Sequence, residues 1–221
     1  MNLYYSVGKL VARICFNTFA NLEVYGQENV PYKGPLIIAA NHLSTADPPL
    51  IVSSLKRRLH FLAKKELFGN VITRHIFNAC GAHPIDRERN NAKSISWAIN
   101  GLSQDKAILM FPEGTRSIGN SSMQKAKPGI GYLALKSNAP ILPIGITGTN
   151  HITGYWRLPF PFCKINITIG QPFTIPSIEG DITQELFQHA SNMVMYRIAQ
   201  LLPKSYQGYY RLSNLQSESQ I

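Results

Sequence analysis

Short apolar runs alternate with amphipathic stretches along most of the chain. Runs of roughly four to eight apolar residues predict buried strands, and apolar positions that recur every three or four residues predict helices. The predicted strands are residues 22–26, 36–40, 59–63, 81–85, 107–111, 141–147 and 164–169. The predicted helices are residues 1–20, 48–55, 71–79, 92–102, 128–137 and 182–202. Strands that alternate with helices predict a single α/β domain with a mixed, mostly parallel sheet flanked by helices.

The first twenty residues form one amphipathic pattern. Apolar residues occupy one helical face at positions 3, 7, 10, 11 and 14, and Lys9 and Arg13 interrupt the segment. It is short for a membrane span and lacks the apolar region and cleavage site of a signal peptide. Two interpretations stay open: the helix lies in a membrane interface, with its cations near anionic headgroups, or it packs on the protein core. The domain itself would occupy residues 21–212, followed by a polar tail at 213–221.

Composition narrows the classes of function. The chain has 221 residues and 44% hydrophobic content, which suffices for one domain with a sizeable core. A net charge of +10 predicts an anionic partner: a membrane surface, a phosphorylated substrate or nucleic acid. We expect no nucleic acid, because the aromatic residues do not alternate with basic residues as in a stacking platform. The cysteines, at positions 15, 80 and 163, lack metal-ligand spacing. They predict reduced, buried thiols in a cytosolic compartment, and we expect neither a metal nor a cofactor.

A histidine and an aspartate follow the second predicted strand. His42 precedes Asp47 by five positions. Side chains five apart lie about 140° apart around a helix and about 17 Å apart along a strand, so these two can meet only across a turn. Ser44, Thr45 and Asp47 can each cap a helix, and Pro48 suits a first helical position. The pair would then lie where α/β sheets bind ligands, with the residue types of a general base. An isolated HxxxxD spacing is more often a surface histidine and a capping aspartate.

Two further polar stretches come at the ends of predicted strands. One runs from Gly81 to Arg87, and the other, Phe-Pro-Glu-Gly-Thr-Arg-Ser, runs from Phe111 to Ser117. Arginine suits phosphate best, because its planar guanidinium donates two parallel hydrogen bonds. Taken alone, each arginine would more often form a surface ion pair with a nearby carboxylate. The stretches therefore predict phosphate binding only in combination with other motifs.

Together these blocks resemble the motifs of glycerolipid acyltransferases, and most closely those of the 1-acyl-glycerol-3-phosphate (lysophosphatidic acid) acyltransferases. That family carries NHxxxxD, GxxPIxR, FPEGTRS and a short apolar-Pro-apolar block, and all four occur here between Asn41 and Ile144. NHxxxxD together with FPEGTRS is a highly specific pair. The resemblance implies a glycerol-3-phosphate acyltransferase-like fold. It also implies acyl transfer from acyl-CoA or acyl carrier protein to the sn-2 hydroxyl of lysophosphatidate, which gives phosphatidic acid.

The resemblance implies a role for each matching residue. His42 would be the general base, and Asp47 would orient it. Arg87 would bind the acceptor phosphate. Lys64 matches a lysine that follows the next strand in the family, and would help to stabilise the thioester oxyanion. The third block would line the acceptor site through four residues, the last of them a second phosphate ligand: Glu113, Gly114, Thr115 and Arg116.

The resemblance also implies membrane lipids as partners, and a peripheral or monotopic position at the cytoplasmic face of the cell membrane. Two alternatives stay open. One is an acyltransferase that uses glycerol-3-phosphate or another lipid alcohol, and the other is a non-catalytic lipid- or anion-binding module of the same fold. His83 departs from the family, which usually has an apolar or aromatic residue there. The aromatic residues 155–162 predict either core or an interfacial loop.

Overall fold

A seven-stranded sheet forms the centre of the computed structural model, which describes residues 3–85, 91–117, 119, 121–176 and 183–211. The order of strands across the sheet is β1-β7-β6-β2-β5-β3-β4. Their bounds are β1 Asn21–Tyr25, β2 Leu36–Ala40, β3 Leu59–Lys64, β4 Ala82–Ile85, β5 Ala107–Met110, β6 Ile141–Thr147 and β7 Lys164–Ile169. Each lies within a residue or so of its predicted position.

Strand pairing places five carboxyl ends at one edge of the sheet. β2 pairs in parallel with both β5 and β6, and β3 pairs in parallel with both β4 and β5. β7 runs antiparallel to β6, and β1 runs parallel to β7. The predicted mixed, mostly parallel sheet is confirmed. The segments that follow β2 to β6 therefore meet at the same edge, and β1 and β7 begin there. We call it the carboxyl edge.

Helices cover both faces of the sheet. They are α1 Leu3–Phe19, α2 Asp47–Ser54, α3 Val71–Ala79, α4 Asn91–Leu102, α5 Gly129–Ser137 and α6 Gln184–Ala199. Alternate residues of β2 point to opposite faces, as a strand requires. Leu36 and Ile38 join a buried cluster with residues of α1 and α2, whereas Ile37 joins a second cluster with residues of α4, α5 and α6. The fold is thus a three-layer α/β domain with a core on each side of the sheet.

Helix α1 packs on the core by one side only. Tyr5 and Phe16 are buried, and the Tyr5 hydroxyl accepts a hydrogen bond of 2.9 Å from the Leu59 backbone N–H. The predicted apolar face points the other way: residues 3, 7, 10, 11 and 14 are between 50% and 72% exposed. Packing on the core and an unpaired apolar face therefore coexist in one helix. Lys9 does not extend into solvent as an interfacial helix would place it, because its ammonium donates to the Leu55 carbonyl.

Four further sequence predictions have different outcomes. No helix in the described ranges has the length and apolar content that would let it cross a bilayer. The cysteines are free thiols that are half-buried, whereas a buried position was expected. The predicted polar tail, 213–221, lies outside the described residues. The domain boundaries at residues 21 and 212 stay predictions.

Candidate active site

The His42 and Asp47 side chains are in hydrogen-bond contact at the carboxyl end of β2. His42 Nδ1 lies 2.8 Å from Asp47 Oδ2, and both residues are buried. The chain turns between them, with the Asp47 N–H donating to the Ser44 carbonyl. Nδ1 faces the carboxylate, so Nε2 is the ring nitrogen that can exchange a proton with a substrate. With its proton on Nδ1 and Nε2 free to accept one, the ring is in the tautomer that a general base needs.

Asp47 is the first residue of α2 and does not cap it. The N-cap position falls on Ala46, and no side chain caps the helix. Asp47 Oδ2 instead turns back and accepts from the backbone N–H groups of Leu43 and Ser44, at 2.7 and 2.8 Å. The sequence offered Ser44, Thr45 and Asp47 as possible caps, and none of the three occupies the N-cap position. The same oxygen fixes the loop and the imidazole, because three donors converge on it.

Glu113 connects the loop after β5 to the loop that carries the histidine. Its carboxylate accepts from the His42 N–H at 3.0 Å, the Ser117 hydroxyl at 2.7 Å and the Gln124 N–H at 3.0 Å. The Ser117 N–H donates in turn to the His42 carbonyl at 2.8 Å. Both backbone polar groups of the histidine are thus held by the third block. The place of Glu113 in the lining of the acceptor site stays a prediction. In the structure this residue is 2% exposed, and its carboxylate is bonded to protein donors.

Burial sets the electrostatics of this carboxyl group. Desolvation raises the pKa of Glu113 above its ordinary value. The hydrogen bonds from the Gln124 N–H, the Ser117 hydroxyl and the His42 N–H act in the opposite direction and lower it. Such bonds stabilise the ionised form, so they offset part of the cost of burying a charge. Three hydrogen-bond donors therefore stabilise the buried Glu113 carboxylate.

Neighbouring strands position the histidine from both sides. The Phe111 ring, just after β5, stacks on the His42 ring with centroids 4.0 Å apart and planes 19° apart. On the other side, the Asn41 amide donates to the Ile146 carbonyl at 2.9 Å and accepts from the Ile146 N–H at 2.8 Å. The sequence prediction gave no role to Asn41 or Phe111. The only sequence signal was their place at the start of a motif.

Cations gather at the same edge as the histidine. Lys64 is exposed at the end of β3, and Arg116 is half-buried in the third block beside the exposed Thr115. Gly114 has a φ of 72°, and the Lys127 side chain runs across it so closely that a Cβ there would lie 2.9 Å from Lys127 Cδ. Lys127 is therefore a further cation at the third block. The remaining predicted phosphate ligand, Arg87, lies outside the described residues.

His83 has a packing role in the second block. Its ring lies on β4 and stacks on Trp97 of α4, with centroids 4.7 Å apart and planes 10° apart. Burial lowers the pKa of His83, which favours the neutral ring. Because a neutral imidazole stacks as an aromatic ring, it replaces the apolar or aromatic residue usual at this position.

The strand-end site lies apart from two cavities that the described residues form. Those cavities, of about 360 and 380 Å³, are lined by residues 27–34, 54–60 and 105–107. They lie at the opposite edge, where β2, β3 and β5 begin. In the described part of the chain, no group of three or more His, Cys, Asp or Glu side chains is placed to hold a metal ion.

Several named proteins are similar to this chain in sequence. The 1-acyl-sn-glycerol-3-phosphate acyltransferase of Streptococcus pneumoniae is 29% identical over 173 residues, which are 77% of this chain and 62% of that protein. The enzyme of the same name from Bacillus subtilis is 29% identical over 161 residues, which are 72% of this chain and 77% of that protein. Human 1-acyl-sn-glycerol-3-phosphate acyltransferase alpha is 33% identical over 56% of this chain and 44% of its own. The chain thus spans less than two thirds of several relatives.

A solved structure and a family model complete the comparison. The crystal structure of the 1-acyl-sn-glycerophosphate acyltransferase PlsC from Thermotoga maritima is similar with a TM-score of 0.65. It is 24% identical in sequence, and the match covers 90% of this chain and 81% of that one. This likeness shows the fold. The model of the acyltransferase family matches residues 21–147, more than half of the chain, and these residues include the His42–Asp47 pair and the third block. The chain belongs to the acyltransferase family.

Proposed function

We propose that the protein transfers a fatty acyl group from an acyl thioester to the sn-2 hydroxyl of 1-acyl-glycerol-3-phosphate. The observation that carries this proposal is the contact of 2.8 Å between His42 Nδ1 and Asp47 Oδ2 at the carboxyl edge. Relatives named 1-acyl-sn-glycerol-3-phosphate acyltransferases support the same acceptor. The product would be phosphatidic acid, a precursor of phospholipids.

The histidine acts as the base in a direct transfer. Nε2 of His42 removes the proton of the acceptor hydroxyl while the hydroxyl oxygen attacks the thioester carbonyl carbon. The tetrahedral intermediate collapses, the C–S bond breaks, and the imidazolium returns its proton to the leaving thiolate. Asp47 holds the Nδ1 proton and balances the positive charge on the ring. Ser and Cys residues lack a nucleophile motif such as GxSxG, so the proposed route has no acyl-enzyme.

Cationic side chains would position the two anionic substrates. Arg116 and Arg87 are the proposed ligands of the acceptor phosphate, since guanidinium matches phosphate oxygens in two parallel bonds. Lys64 is the proposed partner of the thioester oxyanion. Gly114 and Thr115 would form the wall of the acceptor site, and Glu113 would act through the His42 loop. Both acyl-CoA and acyl carrier protein are anionic donors, and either suits this positive edge.

The acceptor is a membrane lipid, and α1 offers a surface to meet it. Leu3, Val7, Leu10, Val11 and Ile14 present one apolar face, and the chain carries a net charge of +10. An amphipathic helix with such a face lies in the headgroup region, where anionic lipids attract a basic protein. We propose a position at the cytoplasmic face of the cell membrane. Flotation with lipid vesicles measures this association.

The test of the function is an acyl-transfer assay with two donors and two acceptors. Purified protein is given acyl-CoA or acyl carrier protein with lysophosphatidate or glycerol-3-phosphate. We expect transfer to lysophosphatidate and a fall of about 10²–10⁴-fold in His42→Ala, which is the usual contribution of a general base. His189→Ala, which replaces an exposed histidine of α6, is the matched control and should keep full activity.

Three other results of these assays would contradict the proposed function or its mechanism. Near-unmodified rates in His42→Ala would overturn the mechanism. Faster transfer to glycerol-3-phosphate would identify the other acceptor class. Lipid binding by the unmodified protein without transfer from either donor to any acceptor would indicate a non-catalytic module.

A further inference from the structure

A loop with exposed aromatic side chains follows β6. We call residues 156–162 the aromatic loop; its sequence is Trp-Arg-Leu-Pro-Phe-Pro-Phe. Trp156, Phe160 and Phe162 are 76%, 50% and 66% exposed. Isolated exposed apolar residues are common on proteins, but here three large exposed rings fall within seven residues, and the Phe160 and Phe162 rings stack with centroids 6.3 Å apart. Exposed apolar residues that cluster in this way indicate an interaction site.

The aromatic loop packs against the C-terminal end of α1. The ring of Phe19, the last residue of α1, packs edge-on against Phe160 with centroids 4.9 Å apart, and against Phe162 with centroids 5.6 Å apart. Directly after the loop, the Cys163 carbonyl accepts a hydrogen bond of 3.1 Å from the Asn21 N–H at the start of β1. The loop is thereby fixed to the end of the helix whose apolar face is exposed.

The segment that leads from β6 into the aromatic loop passes beside the catalytic pair. The Ser44 hydroxyl, in the turn between His42 and Asp47, donates to the Ile152 carbonyl at 2.8 Å. β6 ends at Thr147 on the carboxyl edge, and β7 runs back antiparallel from Lys164, so the segment between them stays at that edge. A lipid bilayer that contacts the aromatic loop would therefore lie next to the proposed acceptor site.

The conformation of Phe162 is costly in water. Its φ is 32°, in the left-handed region that bulky side chains rarely adopt. Since the ring is also mostly exposed, neither backbone preference nor burial in the protein favours a phenylalanine here. An apolar environment outside the protein would compensate for both costs.

The chemistry of the loop fits a lipid interface. The Arg157 guanidinium lies over the Trp156 ring, 5.7 Å from its centroid, and tryptophan with a basic partner is typical of the headgroup level. Pro159 and Pro161 carry no backbone N–H, and the Phe160 N–H donates to the Arg157 carbonyl. These three positions therefore present no unbonded backbone donor to a medium that could not bond one.

We propose that the aromatic loop inserts into the lipid bilayer beside α1 and holds the carboxyl edge of the sheet against the membrane surface. This inference rests on the proposed function, because it assigns a membrane contact to the same catalytic edge. The bound partner is a bilayer that contains anionic lipid: the phenyl rings enter the acyl region, and Trp156 and Arg157 stay at the headgroups.

Tryptophan fluorescence tests the insertion directly. The chain has two tryptophans, and Trp97→Phe leaves Trp156 alone while it keeps a ring that can stack on His83. We expect vesicles of phosphatidylglycerol and phosphatidylcholine to shift the Trp156 emission to shorter wavelength, and brominated acyl chains to quench it. Unchanged emission and no bromine quenching, in protein that floats with the vesicles, would overturn the proposal. This measurement needs no substitution in the loop.

Substitution of Phe160 and Phe162 gives a second, independent test of the insertion. The double substitution Phe160→Ser and Phe162→Ser, which we call the ring variant, should lower vesicle partitioning at least about 10-fold, since two half-exposed rings lose their contact with lipid. Tyr32→Ser is the matched control, because Tyr32 is 81% exposed but lies in the segment before β2, at the opposite edge of the sheet. It should stay within about twofold of the unmodified protein, as a distant surface substitution does. Equal partitioning of the ring variant and the control would overturn the proposal.

Activity measurements separate this proposal from the proposed function. With a short-chain lysophosphatidate that stays monomeric in water, the ring variant should keep its kcat, because docking is not needed. With acceptor embedded in vesicles, its rate should fall along with its partitioning. Vesicle insertion by an unmodified protein that transfers no acyl group would refute the proposed function and leave the docking intact. Equal rates of the ring variant and the unmodified protein on vesicles would refute the docking alone.

Discussion

Replacing Glu113 by alanine tests whether this carboxylate positions the base. In the structure it accepts three hydrogen bonds, from the His42 N–H, the Ser117 hydroxyl and the Gln124 N–H. The sequence instead predicted that Glu113 lines the acceptor site. The two roles differ in their consequences, because a group that holds a loop affects stability and kcat, whereas a group that touches substrate affects KM.

The loss of stability in Glu113→Ala depends on which of the three donors can form a hydrogen bond with another partner. The Gln124 residue is exposed, so water can replace the carboxylate there, and the Ser117 hydroxyl can rotate. The His42 N–H is buried, because the residue is only 7% exposed. A buried donor without a partner costs about 1–3 kcal/mol, so one or two such groups give a loss of about 2–4 kcal/mol in the free energy of unfolding. For a chain of this size the Tm should fall by roughly 5–15 °C.

The pH dependence has a defined sign. Burial raises the pKa of Glu113, so the folded state holds this proton more tightly than the unfolded state does. The contribution of Glu113 to stability is therefore fully present below its ordinary pKa and declines as pH rises through the raised value. We expect the stability gap between unmodified protein and Glu113→Ala to be wider at pH 4 than at pH 8.

Urea unfolding and steady-state kinetics measure the two consequences. We expect kcat to fall about 10²-fold at an unchanged KM for the acceptor, because a displacement of about 1 Å of the base is enough for such a loss. Thr115→Ala, an exposed neighbour in the same block, should change the free energy of unfolding by less than about 0.5 kcal/mol. A Glu113→Ala protein of unmodified stability with a raised KM would refute the reasoning and restore the substrate contact.

Two further substitutions probe single side chains. Asp47→Asn should lower kcat by roughly 10²–10⁴-fold in the transfer assay, because a neutral amide cannot balance the imidazolium of His42; an unchanged kcat would contradict this role. His60 is half-buried, and burial, followed by the charges of Arg58 and Lys106, lowers its pKa from 6.5 to about 4. Its stabilising contribution is present above pH 6.5 and is lost as pH falls to about 4. His60→Gln should remove that acid-dependent loss, about 1–2 kcal/mol after allowance for solvent screening, as followed by urea unfolding at both pH values.

Local patterns were sufficient for the elements of this fold. The apolar runs that predicted β2 and β6 lie fully inside the sheet, because a strand buried on both faces has no polar side. The ends of helices were predicted less accurately: the last helix was predicted over 182–202 and is observed as Gln184–Ala199. Caps and turns at helix ends depend on backbone bonds that side-chain periodicity does not encode.

The contact between His42 and Asp47 was also accessible from sequence. Five positions separate them, and a turn compatible with Ser44 and Pro48 is enough to bring them together. The details of Asp47 were not accessible. A carboxylate at a helix start usually caps the helix, but here it binds the imidazole and two N–H groups of the loop. Local propensity could not distinguish these partners, since both need the same residue at the same position.

Sequence alone determined the chemistry: the residue types at each strand end, the motif blocks and the apolar face of α1. The tertiary structure decided what those residues touch. Glu113 and His42 are 71 positions apart, and Asn41 and Ile146 are 105 apart, yet each pair is joined by hydrogen bonds. Such contacts arise only because β5, β2 and β6 are parallel neighbours in the sheet, and strand order is set by packing over the whole domain. For the same reason only the fold could show that the aromatic loop, the end of α1 and the catalytic pair share one edge.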